Sequence, residues 1–98
     1  MNSFFLAAEA EEELAETLAF YREHASLAIA AAFLSEFTRV AHLAASNPGL
    51  GTPTSRGRRL LPMRRFPFSL VYRESEGGVR ISAVAHQRRR PGYWRKRK

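Results

Sequence analysis

The hydrophobic pattern changes its period partway along the chain, and this change constrains the fold more than any other feature of the sequence. Residues 7–46 repeat apolar side chains at helical spacing, whereas residues 58–86 alternate apolar and polar side chains as strands do. Between these regions, residues 47–53 hold two prolines and two glycines, which interrupt regular structure. The sequence therefore predicts an α+β chain in which helices precede most of the sheet, with a loop over residues 47–53.

Two helices are predicted before this loop. The first runs from about Ala7 to His24, and its apolar stripe consists of Ala10, Leu14, Leu18 and Tyr21. The second begins after Ser26, a residue type that caps helix N-termini, and ends near Ser46. Its predicted buried face consists of Ile29, Phe33, Phe37, Val40, Ala41 and Ala44. Because so few residues separate the helices, we expect them to pack as an antiparallel hairpin.

Extended segments lie on both sides of the hairpin. Residues 3–6 predict a short opening strand, and residues 58–65 form a basic and apolar segment before a strand over residues 68–73. A turn at Gly77-Gly78 leads to a last strand with two predicted faces. One face carries Val79, Ile81, Ala83 and Ala85, and the opposite face carries Arg80, Ser82, Val84 and His86. The predicted order is β-α-α-β-β-β, with the hairpin covering one face of a small, largely antiparallel sheet.

Length and composition exclude several classes of protein. A chain of 98 residues is too short for two cores, so we expect one domain over residues 1–94 and a basic tail over residues 95–98. The longest uncharged apolar run, residues 27–34, is far shorter than the roughly 18–20 residues that span a bilayer, and no secretion signal precedes it. The absence of cysteine excludes a disulfide scaffold and a thiolate metal site. We therefore expect a cytoplasmic protein without membrane contact, metal or cofactor.

The two halves of the chain carry opposite charges. Residues 1–46 hold seven glutamates against two arginines, whereas residues 47–98 hold fourteen arginines and lysines against two glutamates. A basic half attracts an acidic partner, either a nucleic acid or an acidic protein segment. The alternative is a basic surface that only keeps the protein soluble.

Four stretches follow one another in an order that is typical of a known superfamily. They are AEAEEELA at residues 8–15, NPGLG at 47–51, FPF at 66–68 with VYR at 71–73, and HQRRRPGYW at 86–94. Together they resemble the RelE/ParE superfamily of bacterial toxins from type II toxin–antitoxin systems. Many relatives have an aspartate where this chain has Glu13, an exchange that keeps the charge. The resemblance implies a toxin that is neutralised by a cognate antitoxin, whose acidic and flexible C-terminal segment wraps around it.

The superfamily contains two functional classes. ParE-like members bind DNA gyrase and trap it, whereas RelE-like members cut messenger RNA on the ribosome. A hairpin that occupies nearly half of the chain and the scarcity of lysine in the basic strands favour the ParE-like class. We therefore expect a gyrase inhibitor that is not an enzyme, with a ribosome-dependent endoribonuclease as the alternative and a basic nucleic-acid-binding module as a minor one.

Candidate site residues lie in the basic half. Those expected to bind the target or the antitoxin are Arg64, Arg65, Arg73, Arg80, Arg88, Arg89, Arg90 and Trp94. A metal-independent endoribonuclease would instead need an acid, a base and cations around the phosphate. Its candidates are Arg65, Arg73, His86 and Tyr93, where Tyr93 would require nearby arginines to lower its pKa. The structural alternatives are a His86 that holds the C-terminal turn and aromatic residues that pack the tail onto the sheet.

Overall fold

The computed structural model describes residues 3–98, so Met1 and Asn2 of the predicted domain lie outside the described residues. It confirms an α+β fold with the elements β1 (Ser3–Leu6), α1 (Ala8–His24), α2 (Leu27–Ser46), β2 (Thr52–Pro53), β3 (Arg59–Pro62), β4 (Phe68–Ser75) and β5 (Gly78–His86). The strands form one sheet in the order β1-β5-β4-β3-β2, in which β1 runs parallel to β5 and every other pair is antiparallel. The helical hairpin covers one face of this sheet.

The predicted helices have the predicted ends. The Oγ of Ser26 accepts a hydrogen bond from the N–H of Ile29 at 3.0 Å, which confirms the N-cap of α2. The stripe of α1 packs against the core as expected, and α2 buries the predicted residues with one exception. Ile29 is 37% exposed, because the buried face of α2 begins at Ala30, three residues before Phe33, and not at Ile29, four residues before it.

The segment predicted as a loop contains more regular structure than expected. Residues 48–50 form a short 3₁₀ turn, and β2 pairs antiparallel with β3 through Thr52 and Pro53. The hydroxyl of Tyr72 holds the segment in place, since it accepts from the N–H of Gly51 and donates to the carbonyl of Pro48, both at 2.9 Å. A Cβ at Gly51 would lie 2.7 Å from that hydroxyl, so only glycine fits there.

The hairpin turn lies one residue earlier than predicted. Glu76 and Gly77 form it, with a positive φ of 79° at Gly77, and Gly78 already belongs to β5 opposite Ser75. Strand β1 explains why Gly78 is a glycine, because a Cβ at that position would lie 1.7 Å from the carbonyl oxygen of Ser3. The prediction of a Gly77-Gly78 turn was therefore wrong by one position.

The predicted alternation along β5 is correct only in its first half. The register passes from Tyr72 opposite Ile81 to Val71 opposite Ala83, which leaves Ser82 as the extra residue of a β-bulge. Up to the bulge, Val79 and Ile81 face the helices; beyond it, Val84 does so, and Ala83 and Ala85 face the other side. The predicted sides of residues 83–86 are therefore reversed.

The second face of the sheet, called the outer face below, is covered rather than solvated. Trp94 packs there against Val71, Ala83 and Ala85 in a small second core. The last residues of the chain also contact the sheet, since the Arg97 guanidinium donates to the carbonyl oxygen of Ser82 at 3.1 Å. Residues 87–98 therefore form a cover over the outer face, and they are called the C-terminal segment.

Among residues 3–98, one helix, α2, is long and apolar enough to cross a membrane by length and composition alone. Phe33, Phe37 and Val40 bury its apolar side against the sheet, so α2 packs here as a core helix.

Candidate functional site

The predicted partner-binding arginines fall into two groups at opposite ends of the sheet. The N–H of Gln87 donates to the carbonyl of Pro67 at 2.8 Å, which joins the β3–β4 loop to the segment after β5. This contact brings four exposed arginines to one end, called the basic end: Arg64, Arg65, Arg88 and Arg90.

Arg73 and Arg80 lie at the other end of the β4–β5 pair. They stand opposite each other in register, and both side chains are half-buried. Arg73 is five residues along β4 from Phe68, the partner of His86, which corresponds to about 17 Å. The predicted surface is therefore two separate basic clusters rather than one.

Two further predicted residues make internal contacts. Trp94 is only 7% exposed, so it cannot stack on a partner unless the C-terminal segment moves. Arg89 donates to Oε2 of Glu13 at 3.3 Å, and its guanidinium lies 3.7 Å from the centre of the Tyr93 ring. Both residues help to hold the C-terminal segment on the domain.

The centre of those contacts is Glu13, which sequence reasoning did not identify as a site residue. Its buried carboxylate accepts hydrogen bonds from the Val84 N–H at 3.0 Å, the Tyr93 hydroxyl at 2.6 Å and both terminal nitrogens of Arg97 at 2.9 and 3.0 Å. Burial by itself would raise the pKa of Glu13, but the bonds from Arg97, Tyr93 and Val84 together hold it below its usual value. A signal was present, because Glu13 falls three residues after Ala10 on the apolar stripe of α1.

The acid and base candidates are not assembled into a catalytic group. Burial, followed by the hydrogen bond to the Glu13 carboxylate, raises the pKa of Tyr93 well above its usual value, although Arg89 and Arg97 oppose that change. This is the direction opposite to the one that catalysis by a tyrosinate would need. Arg73 lies at the far end of the sheet, whereas Arg65 and His86 share the basic end.

His86 has the contacts of a structural residue. Its Nδ1 accepts a hydrogen bond from the backbone N–H of Arg88 at 3.0 Å, and its ring packs edge-on against Phe68 with the ring centres 4.9 Å apart. These contacts fix the turn after β5, as the structural alternative for this residue required.

Apolar grooves flank the sheet on the helix side. The first lies between α1 and the end of β5 and has a volume of about 390 Å³; it is lined by Glu16, Thr17, Phe20, Tyr21, Phe68 and His86. The second lies between α2 and β3 and has a volume of about 340 Å³; it is lined by Arg39, Val40, Leu43, Leu50, Leu61, Pro62, Met63 and Arg64. Pairing with β2 ends at Leu60, so the end of β3 beside the second groove is uncovered, and Pro62 there can accept but not donate a backbone hydrogen bond.

A second buried glutamate stabilises the wall of the α2–β3 groove. Both carboxylate oxygens of Glu36 accept from the Arg39 guanidinium at 2.9 Å, and Oε2 also accepts from the Arg64 N–H at 2.8 Å. The bonds from Arg39 lower the pKa of Glu36 to about 2, against the opposing effect of burial. The β3–β4 loop is therefore tied to α2 through a charged group.

Within residues 3–98, no three histidine or glutamate side chains are close enough together to hold a metal ion.

Comparisons with known proteins give a family match for the sequence and a match for the fold. A family model described as "ParE toxin of type II toxin-antitoxin system, parDE" matches residues 4–91. A solved structure titled "Chromosomal ParDE TA system from P. aeruginosa" is 21% identical, covers 88% of this chain and 96% of that chain, and has a TM-score of 0.75, so it shares the fold. No curated protein matches the chain.

Proposed function

Because the chain belongs to the ParE toxin family of type II toxin–antitoxin systems, we propose that it stops growth by binding DNA gyrase, without chemistry of its own. The observation that carries this proposal is that the candidate acid, base and cation of a ribonuclease do not converge on one point. Tyr93 is bonded to Glu13, His86 accepts a backbone N–H, and Arg73 lies at the other end of the sheet. These contacts support binding rather than ribonuclease chemistry, which needs converging groups.

The proposal is tested with purified gyrase and relaxed plasmid. We expect the wild-type protein to inhibit supercoiling in proportion to its concentration, and to leave ribosome-bound messages uncut in a primer-extension assay. Normal supercoiling together with cleavage of ribosome-bound messages would replace the proposed function with that of a RelE-like endoribonuclease.

Substitutions of His86 and Tyr93 separate the two functions in cells. We expect His86→Ala and Tyr93→Phe to keep toxicity within about tenfold of wild type, because each change removes a structural contact and no proton transfer is required. Loss of a general acid or base would instead reduce the rate about 10²- to 10⁴-fold. Growth after induction is the measurement, and circular dichroism shows that each variant is folded. A folded variant that has lost its toxicity would contradict the inhibitor proposal.

We further propose that a cognate antitoxin neutralises the protein in the cytoplasm through an acidic segment. The contrast between the acidic residues 1–46 and the basic residues 47–98 supports this, since an acidic chain gains favourable contacts only on the second part. The α2–β3 groove, with the uncovered end of β3 beside it and Arg64 at its border, offers an apolar channel, the Pro62 carbonyl and charge together. An extended peptide that lies along this edge of the sheet uses all three.

Charge reversal tests this placement. We expect the combined change of Arg64 and Arg65 to glutamate to weaken antitoxin-peptide binding by about 30-fold, as two lost charge contacts of about 1 kcal/mol each would do. A matched variant reverses two other exposed cations, Arg95 and Lys96, and should bind far better. Isothermal titration calorimetry measures both affinities. Equal affinities for the two variants would show that the segment binds elsewhere.

A further inference from the structure

Three arginines lie side by side across the outer face of the sheet. Arg73 of β4 stands opposite Arg80 of β5. Arg59 pairs with Tyr72, so the preceding residue, Arg58, lies next to Arg73 on the other side. Neighbouring strands are about 4.8 Å apart, and the three side chains therefore originate within about 10 Å of one another. We call Arg58, Arg73 and Arg80 the arginine row.

Within residues 3–98, neither Arg58 nor Arg73 of the row forms an ion pair. Arg58 is only 1% exposed, and Nη1 donates to the carbonyl oxygens of Trp94 and Arg95, both at 3.2 Å. Its Nη2 donates to the Arg97 carbonyl, and its Nε is buried with no hydrogen-bond partner in the part of the chain that the structure describes. Within the same residues 3–98, no glutamate carboxylate forms an ion pair with any member of the row.

Without a bound anion, this arrangement of arginines destabilises the folded protein. Like charges directly opposite each other in a sheet repel, and a buried charge that meets only neutral carbonyls is poorly compensated. Burial lowers the pKa of Arg58, and four neighbouring arginines lower it further: Arg56, Arg73, Arg80 and Arg97. Each of these penalties would decrease if a polyvalent anion lay between the guanidinium groups.

We propose that the arginine row is a phosphate-binding site on the outer face of the sheet. The half-buried guanidinium groups of Arg73 and Arg80 hold the phosphate oxygens through their paired N–H donors, a geometry for which arginine is suited better than lysine. Arg58 contributes charge from beneath, and Arg80 also donates at 2.7 Å to the oxygen of Lys98, the last residue of the sequence, a contact that a bound phosphate would replace. The phosphate is a free ion or part of a nucleic-acid backbone. The site does not depend on the gyrase proposal.

The test is thermal unfolding of the full chain, monitored by circular dichroism. It is carried out in pyrophosphate and in sodium chloride of equal ionic strength. Pyrophosphate is the probe because its two phosphate groups can reach along the row. We expect a saturable rise in Tm of about 5 °C or more over chloride. Arg80→Gln should lose most of that rise, while its Tm in chloride stays equal to or above that of wild type, since repulsion with Arg73 is gone. Arg73→Gln provides the same test if Arg80→Gln does not fold.

A charge-matched control is Arg22→Gln, which removes one exposed arginine from α1, a helix on the opposite face of the sheet. It should keep the full response to pyrophosphate. A short single-stranded oligonucleotide forms the second arm: a row-dependent rise in Tm with it assigns the phosphate to a nucleic acid, and a rise with pyrophosphate alone assigns it to a free ion. No rise above chloride with either probe, or a rise that Arg80→Gln and Arg73→Gln leave unchanged, would overturn the proposal.

Discussion

Replacing Phe37 with alanine should lower the free energy of unfolding by about 3 to 5 kcal/mol, the range found for phenylalanine-to-alanine changes in cores. Phe37 is 2% exposed, and its ring meets Phe4 edge-on with the ring centres 6.0 Å apart. Truncation would therefore leave a cavity where α2 packs over β1. A loss of this size is a large part of the stability of an ordinary domain. Urea denaturation measures it.

The matched control lies on the same helix. Leu27 is 71% exposed, so Leu27→Ala should change the free energy of unfolding by no more than about 0.5 kcal/mol. If Phe37→Ala cost as little as Leu27→Ala, the packing of α2 against the sheet described above would be incorrect.

Glu13→Gln should lower the free energy of unfolding by about 3 to 5 kcal/mol, although it preserves the shape of the side chain. Removal of one partner from a buried ion pair leaves the other charge uncompensated, and Arg97, itself largely buried, would keep its charge beside a neutral amide. The Tyr93 hydroxyl would also lose its carboxylate acceptor. Thermal or urea unfolding measures the change.

The same substitution has a second readout, because Trp94 is the single tryptophan of the chain and belongs to the C-terminal segment, which buries it against the sheet. Its fluorescence should shift to the red if Glu13→Gln loosens that segment. Glu12→Gln removes a neighbouring charge that is exposed, and it should alter neither stability nor fluorescence. If the two variants behaved alike, Glu13 would not be the group that holds the C-terminal segment.

The helices could be predicted almost to the residue, because both of their signals are local. The cap at Ser26 and the spacing from Phe33 to Ala44 act within one turn or two, so neither depends on what lies across the core. The sheet was less predictable. The bulge at Ser82 depends on how β5 fits against β4, and the pattern of β5 continues past it without interruption. Gly78 was read as a turn residue because the strand that excludes a Cβ there lies 75 positions away in sequence, at Ser3.

The candidate site was likewise predictable only in part. That arginines dominate the basic half follows from composition, but which of them are exposed does not. Arg58 resembles its neighbours in sequence, and only the fold shows that the C-terminal segment closes over it. Trp94 and Arg89 were predicted as partner contacts because aromatic and cationic residues are typical of interfaces, whereas here they stabilise the segment that carries them.

The parallel pairing of β1 with β5 sets the order in which the protein can fold during its synthesis. The contacts of the helical hairpin lie within residues 8–46 and are available early, but Ser3 has its partner only when Gly78 has been made. Until then Phe4 and Leu6 have no strand beside them, and the apolar side of α2 has no complete sheet to cover. Contacts this distant in sequence form late and slowly. A nascent chain therefore contains the residues of the hairpin while the next 32 residues, 47–78, are added, and the complete sheet exists only after four fifths of the chain has been made.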